Sequence, residues 1–241
     1  MRVVVTGIRG GLGVSTISAL LAQQLTTIGS VALVEASGSD SLDLLLGLEH
    51  VAGLRWAAIR SETPGSTNPG WNPDAGPDQV AGNTPRRDPD HADSVWSLPT
   101  WAGVDVLGGA SPADLASDIG RDVLAALATR KTIVLDGGIG DFDIPGAQRI
   151  VVVGTDVVSV TKAREGLTGH GSILVVRRVR YAALSPLEIS DVLGTPVVAV
   201  ISDDQSLGRS VEAGLGPVPN RITRRSISRL AQYFLDLAGH E

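Results

Sequence analysis

A glycine-rich stretch near the N-terminus constrains the fold of this chain more than any other feature. The β-branched residues 3–5 are typical of a buried strand, and the apolar residues in 17–25 recur at helical spacing. Between them lies the sequence Thr-Gly-Ile-Arg-Gly-Gly-Leu-Gly-Val-Ser-Thr, residues 6–16. Glycines let a backbone approach an anion closely, and the N–H groups and positive dipole end of a helix N-terminus point at it. The stretch therefore predicts a strand, a tight turn and a helix that together bind phosphate groups.

The turn matches part of the phosphate-binding loop of NTPases, Gly-x4-Gly-Lys-Ser/Thr, in which the lysine contacts the outer phosphates and the hydroxyl binds magnesium. Aligned on Gly13, Val14 replaces that lysine. The loop resembles the deviant sequence Lys-Gly-Gly-x-Gly-Lys-Thr-Thr of the MinD/ParA family, with both lysines replaced. The resemblance implies that Ser15 keeps the magnesium position and that Arg9 stands in for the first lysine. The implied nucleotide-binding residues are Arg9, Gly10, Gly11, Leu12, Gly13, Val14, Ser15 and Thr16.

A second family has a similar turn. The pattern Thr-Gly-x3-Gly-x-Gly at 6–13 resembles that of the short-chain dehydrogenases, and Glu35 lies where an acid would bind a ribose 2′-hydroxyl. NAD(P) is therefore the alternative cofactor. That family uses a Tyr-x3-Lys pair, whereas Tyr181 and Tyr233 are followed four residues later by serine and leucine. The dehydrogenase interpretation thus lacks its catalytic pair.

Two acidic residues each end a predicted strand. The apolar segment 30–35 ends at Glu35, and the apolar segment 132–136 ends at Asp136. In a parallel sheet both acids reach the edge where ligands bind. A strand-terminal aspartate together with a phosphate loop has the layout of a Walker B motif, whose carboxylate orients the waters of magnesium. We therefore predict that Ser15 and Asp136 hold the Mg²⁺ of bound ATP, and that Glu35 and Asp136 are candidate catalytic residues.

Two further segments resemble the CpaE/TadZ branch of the MinD/ParA family, which includes septum-site-determining proteins. They are Leu-Asp-Leu-Leu-Leu-Gly-Leu-Glu at 42–49 and Gly-Leu-Arg-Trp at 53–56. The resemblance implies a homodimer that binds ATP and acts as a localisation or assembly factor for Tad-type pilus or secretion machinery, or in septum-site placement. The implied partners are a pilus or secretion ATPase and other assembly proteins. The implied location is the cytoplasm, with recruitment to the pole or the inner face of the membrane.

Hydrolysis of ATP depends on cations around the γ-phosphate. The replacement of the loop lysine by Val14 removes a charge-assisted contact of about 1.5–3 kcal/mol in binding, and more in the transition state. With Arg9 as the remaining cation of the loop, we expect at most a slow ATPase, and rather a pseudo-ATPase. A scaffold that keeps the fold without a nucleotide is a further alternative.

The length and composition fit one α/β domain over residues 1–241, because 43% of the residues are apolar. The segments above predict a three-layer sandwich with a mostly parallel sheet of six to eight strands, as in P-loop NTPases of the MinD/ParA kind. The proline- and glycine-rich stretch 61–93 is expected to be a disordered insertion. We also predict a single helix over 113–130.

Charge and residue types limit the partners. The net charge of −6 argues against bulk binding of nucleic acid, and the chain has no cysteine. The four histidines are scattered without metal-ligand spacing, and no apolar run reaches the length of a membrane span. A C-terminal helix over 226–238 has one apolar face, which we expect to dock on the sheet; contact with a membrane surface is the alternative.

Overall fold

The structure is a computed structural model that describes residues 1–61, 97–139, 144–166, 171–181 and 184–238. The insertion predicted over 61–93 lies outside the described residues except for its first position. The described strands are β1 (Arg2–Gly7), β2 (Val31–Glu35), β3 (Thr100–Trp101), β4 (Val104–Leu107), β5 (Thr132–Ile139), β6 (Gln148–Gly154), β7 (Ser172–Arg177) and β8 (Val197–Ile201). The described helices are α1 (Val14–Leu25), α2 (Leu42–Leu46), α3 (Trp56–Ser61), α4 (Pro112–Ala116), α5 (Asp118–Ala128), α6 (Val157–Gly166), α7 (Pro186–Leu193), α8 (Gln205–Glu212) and α9 (Arg221–Ala238).

The eight described strands form one sheet in the order β3-β4-β2-β5-β1-β6-β7-β8. All neighbours are parallel except β3 and β4, which form an antiparallel edge. The predicted mostly parallel sheet is therefore confirmed. The chain crosses from one side of β1 to the other between β5 and β6, and such a switch point leaves a crevice at the carboxyl ends of the strands.

The strand order does not fit the dinucleotide alternative. In the dinucleotide-binding fold the first two strands are neighbours, in the order 3-2-1-4-5-6. Here β5 lies between β1 and β2, and it places Asp136 beside Glu35 in register. The strand that ends in Glu35 is therefore not adjacent to the strand that leads into the glycine turn, as it would be if Glu35 bound the ribose of NAD(P).

Helices cover both faces of the sheet. Alternate residues of β1 point to opposite sides, so that Val3 and Val5 pack with α1, α2, α8 and α9, whereas Val4 packs with α3, α4 and α5. A third cluster joins β6 and β7 to α6 and α7 on the Val4 side. The three-layer sandwich predicted from the sequence is thus observed.

Two predicted helices have different bounds from those expected. The helix predicted over 113–130 is two helices, because Ser117 adopts an extended conformation and its hydroxyl caps α5 through the N–H of Gly120. Ser111 caps α4 in a capping box with Asp114. The sequence patterns also missed α7 and α8, and α9 begins five residues before the predicted start at Ser226.

The apolar face of α9 is buried against α1 and β8. Ile227, Leu230 and Phe234 are almost wholly inaccessible, while Leu237 at the end of the helix is 37% exposed. The expectation that this helix docks on the sheet is confirmed. None of the described helices combines the length and the apolar character that a membrane span requires.

Candidate functional site

The glycine loop joins β1 to α1 at the carboxyl edge of the sheet. Gly11 and Gly13 have φ angles of 75° and 77°, in the left-handed region that residues with a Cβ rarely adopt. A Cβ at Gly11 would meet no heavy atom within 4 Å, so the backbone is open on that side. Gly13 is the N-cap of α1 and provides no side-chain cap, which leaves the first N–H groups of the helix without an intrahelical partner. This geometry suits an anion.

Val14 does not face the same space as the open glycines. Its side chain is 7% exposed and belongs to the core, as does Leu12. A Cβ on Gly7 would lie 2.6 Å from Cγ2 of Val14, so the valine packs under the loop against the end of β1. The replacement of a lysine by Val14 therefore substitutes core packing for a cation at the loop.

Arg9 is held by residues that follow β6. Its Nε donates to Oγ of Ser159 and its Nη2 to Oδ2 of Asp156, both at 2.9 Å. Its Nη1 donates to the carbonyl of Gly10 at 3.3 Å. Burial alone would raise the pKa of Asp156, but the hydrogen bonds from Ser159 and Arg9 and the charge of Arg9 lower it to about 2. The one cation of the loop is thus paired with a carboxylate of its own chain.

The sequence patterns did not single out Asp156 or Ser159 as partners of Arg9. A usable signal was present, because an acid lies two residues beyond the apolar strand β6, much as the apolar segments 30–35 and 132–136 each end in an acid. What the patterns lacked was the position of β6 beside β1 in the sheet.

Asp136 is fully buried at the same edge. Its Oδ1 accepts from the N–H of Gly138 at 3.4 Å, and its Oδ2 has no hydrogen-bond partner among the described residues. Burial raises the pKa of Asp136 to about 6, while the Ser15 hydroxyl and the Gly138 N–H oppose this rise and the charge of Glu35 adds to it. The Ser15 hydroxyl is near enough to act on the charge of the carboxylate but is not in hydrogen-bonding geometry with Oδ2. A buried carboxylate oxygen without a donor is costly, so a ligand at this position would stabilise it.

Glu35 is equally buried but saturated with hydrogen bonds. Its Oε1 accepts from the hydroxyls of Ser37 and Ser39 and from the N–H of Ser41, at 2.8 to 3.1 Å. Its Oε2 accepts from the N–H of Gly109 at 2.9 Å. Glu35 therefore organises the serine turn after β2 and the start of the loop after β4, and this carboxylate has four donors before any ligand binds.

The two segments that resemble the CpaE/TadZ branch meet away from the glycine loop. Arg55 pairs with Asp43 of α2, and its Nη2 donates to the carbonyls of Leu48 and Val51. Trp56, the next residue, is buried in the core between the sheet and α3 to α5. In this structure the two segments contact and stabilise each other, and neither contributes a group to the glycine loop.

The residues present suit a magnesium–nucleotide complex in part. Within the described ranges no three His, Cys, Asp or Glu residues are close enough together to hold a metal ion. An ion near Ser15 and Asp136 would therefore need phosphate oxygens and waters as its other ligands, which is how Mg²⁺ usually binds with a nucleotide. The orphan Oδ2 of Asp136 fits such an ion, whereas Val14 supplies nothing to a phosphate.

Comparisons with known proteins agree with this architecture. A family model described as "Cellulose biosynthesis protein BcsQ" matches residues 1–68. No curated protein sequence is significantly similar to the chain.

Solved structures match over nearly the whole length of the chain. A chain of the MinC:MinD cell division protein complex from Aquifex aeolicus has a TM-score of 0.70 and 17% identity, covering 98% of this chain and 96% of that one. A ParA family ATPase from Chlorobium tepidum has a TM-score of 0.66 and 17% identity, and the match covers 97% of this chain and 98% of that one. The septum site-determining protein MinD from Pyrococcus horikoshii, complexed with Mg-ADP, has a TM-score of 0.66 and 19% identity. The match covers 99% of this chain and 98% of that one. The fold is that of the P-loop NTPases of the MinD/ParA kind.

Proposed function

We propose that this chain is a MinD/ParA-like protein that binds Mg-ATP at residues 9–16 and turns it over slowly or not at all. The observation that carries the proposal is the unpartnered Oδ2 of buried Asp136, which lies beside Ser15 at the start of α1. The open backbone at Gly11 and the left-handed conformation of Gly11 and Gly13 support it, because such a backbone could enclose phosphate oxygens. The fold shared with a MinD solved with Mg-ADP is consistent with a ligand of the same class, a magnesium complex of an adenine nucleotide.

In this proposal the loop backbone binds the phosphates, and the Ser15 hydroxyl and Asp136 hold the ion. A bound Mg²⁺ would neutralise phosphate charge. Burial raises the pKa of Asp136, so protons would compete with the ion for this carboxylate more strongly than for an ordinary aspartate, and binding of the ion should weaken as the pH falls. Arg9 must leave Asp156 and Ser159 before it can contact a phosphate, which lowers its contribution to affinity.

Slow turnover follows from the state of three side chains. Val14 has no charge and lies in the core, Arg9 is already ion-paired, and Glu35 already accepts four hydrogen bonds. Phosphoryl transfer depends on cations and on a group that orients the attacking water. Each of these positions is therefore poorly placed to supply the charge or the base that rapid hydrolysis needs.

The apolar surface near the loop supports a homodimer. Five large apolar side chains are exposed by 60% or more at or near the carboxyl edge of the sheet: Ile139, Val157, Val158, Tyr181 and Leu187. Apolar residues concentrated in one region are typical of protein interfaces. We therefore propose that two copies meet at this edge, with the nucleotide between them.

Their role would be to localise or assemble a Tad-type pilus or secretion machine, with its secretion ATPase as partner, or to place the septum. They would act in the cytoplasm, at the pole or the inner face of the membrane.

A melting experiment tests the nucleotide. Mg-ATP at 100 times its dissociation constant should stabilise the protein by about 2.7 kcal/mol, which raises the Tm by roughly 5–10 °C for a chain of this size. The shift should fall without Mg²⁺ and in Ser15→Ala, and it should vanish in Gly13→Val. Ser226→Ala and Gly29→Val are matched controls, because both sites lie away from the loop and Gly29 has open space around it. Each variant is compared with its own ligand-free Tm.

Three outcomes would contradict parts of this proposal. No shift with Mg-ATP would leave a nucleotide-free scaffold. A shift with NAD(P) and none with ATP would overturn the choice of ligand. Phosphate release at the rate of an active ATPase would contradict the slow turnover.

A further inference from the structure

A groove of about 450 Å³ lies at the other end of α1, away from the glycine loop. Its walls come from the C-terminal half of α1, from the β3–β4 hairpin, from the loop 213–220 and from the first turns of α9. Because a helix rises 1.5 Å per residue, Gln24 in the groove is roughly 15 Å from Val14 at the loop. The groove is therefore separate from the proposed nucleotide site, and nothing about it depends on that proposal.

The groove is rigidly built. A Cβ at Gly216 would lie 2.3 Å from Nε1 of Trp101, so the loop packs directly on the indole, whose N–H donates to the carbonyl of Leu215. The N–H of Val218 donates to Ser210, and the N–H of Asn220 donates to the carboxylate of Asp204. These contacts fix the loop at both ends, and a preformed site loses less entropy when it binds a ligand.

The lining combines apolar surface with polar groups that suit a peptide backbone. Leu215 and Val218 are 64% and 45% exposed at the mouth of the groove, and Leu20 and Ile227 form its buried base. Gln24 already accepts from the hydroxyl of Ser228, which leaves its amide N–H groups as donors for a carbonyl.

One side of the groove carries unpaired positive charge. Arg224 lines it, and Arg221 and Arg225 lie within one helical turn on α9. All three are exposed, and none makes an ion pair or a side-chain hydrogen bond with a described residue. This contrasts with Arg9, Arg55 and the other ion-paired arginines of a chain whose net charge is −6. The positive charge beside exposed apolar groups is complementary to an acidic, partly apolar ligand.

We propose that this groove binds an acidic peptide segment of a partner protein, with an apolar side chain seated between Leu215 and Val218 and a carboxylate on Arg224. Its volume lies in the range of sites that hold a short segment or a small molecule. An arginine that binds a carboxylate next to an apolar anchor is a typical interface centre.

Two other anionic partners fit the surface less well. Single-stranded nucleic acid binds by stacking on exposed aromatic rings, and the aromatic residue of the groove, Trp101, is only 7% exposed. An interfacial membrane helix needs a free apolar face, and that of α9 is buried in the core.

Peptide selection tests the proposal. A displayed library of random peptides about a dozen residues long is selected on the full chain, and enriched peptides are synthesised and measured by fluorescence anisotropy. We expect the enriched sequences to combine Asp or Glu with a neighbouring apolar residue. Arg224→Glu and Val218→Asp should each weaken their binding by tenfold or more. A peptide with its acid changed to lysine should bind Arg224→Glu more tightly than it binds the wild type.

Matched controls separate the groove from general surface effects. Arg229→Glu changes an exposed arginine of the same helix outside the groove, and Val192→Asp changes a similarly exposed valine on α7. Both should bind the peptides like the wild type, and all variants should melt within a few degrees of it. A short single-stranded DNA and vesicles containing phosphatidylglycerol are measured as competing probes. Failure to enrich any peptide, peptides that ignore Arg224 and Val218, or DNA or vesicles that bind through these residues while peptides do not would each overturn the proposal.

Discussion

Glu35 and Asp136 are neighbours in register on adjacent parallel strands, and both are fully buried, yet their environments differ. Glu35 accepts four hydrogen bonds, whereas one oxygen of Asp136 accepts none from the described residues. Burial alone therefore does not distinguish a functional acid from a structural one. The number of donors that each carboxylate already has is the better guide: the fold saturates Glu35, whereas Asp136 keeps the free oxygen that the proposed ligand site requires.

Removal of Glu35 should have the larger effect on stability. Glu35→Ala removes the acceptor of four hydrogen bonds, donated by Ser37, Ser39, Ser41 and Gly109. A hydrogen bond to a charged group contributes about 1.5–3 kcal/mol, and less at Ser37 and Ser39, because their hydroxyls are partly exposed and can turn to water. We expect a loss of about 3–5 kcal/mol in the free energy of unfolding, measured by denaturant titration. Glu49→Ala, at an exposed acid, is the control and should stay within about 0.5 kcal/mol of the wild type. A Glu35→Ala protein as stable as the wild type would remove the distinction between the two acids.

Asp136→Asn should raise the free energy of unfolding at pH 7, whereas Glu35→Ala should lower it. The folded pKa of about 6 lies above the unfolded value of 3.8, so the ionised group destabilises the fold above pH 6. Wild-type stability should therefore gain up to about 3 kcal/mol from this group as the pH falls from 7 to 4. Asp136→Asn should be more stable than the wild type by about this amount at pH 7, and the difference should shrink toward pH 4.

The effect of Asp136 is measured as the difference in the free energy of unfolding between the wild type and Asp136→Asn at each pH. The folded pKa values of Asp114, Asp156 and Asp204 are lowered, so their contributions are lost as the pH falls below about 4 in both. Because both proteins contain these three groups, their contributions cancel in the difference between the two free energies of unfolding. If the two proteins have parallel profiles from pH 7 to 4, Asp136 does not titrate as its burial implies, and the contrast with Glu35 fails.

Much of the fold followed from local patterns in the sequence. The β-branched strands, the glycine turn and the strand-terminal acids were predicted because each depends on neighbouring residues. The break between α4 and α5 at Ser117 was not predicted, because the apolar spacing of a helix continues through it. Ser117 itself adopts an extended conformation and caps α5.

The partners within the site could not be predicted in the same way. The sequence identified Arg9, Glu35 and Asp136, but their contacts depend on which strands are adjacent. Arg9 meets Asp156 about 147 positions later, and Glu35 meets Gly109 74 positions later. Local periodicity carries no information on such pairs, which explains why both acids were candidate catalytic residues although their hydrogen bonding in the structure differs.

A third acid at this edge separates the effect of hydrogen bonding from that of burial. Asp156 is satisfied, like Glu35, but its side chain is 26% exposed, as is 31% of that of its partner Arg9. Because water and salt screen such a pair, we expect a coupling energy of only about 1 kcal/mol between Arg9→Ala and Asp156→Ala in a double-mutant cycle. The coupling should fall at high salt and disappear below about pH 2, since the folded pKa of Asp156 is lowered and its stabilisation is lost as the pH falls through that value. The pair Arg121 and Asp118, which is more exposed, is the control and should couple more weakly still. A coupling as large as the whole effect of Glu35→Ala would mean that hydrogen bonding, rather than its combination with burial, sets the cost of losing an acid at this edge.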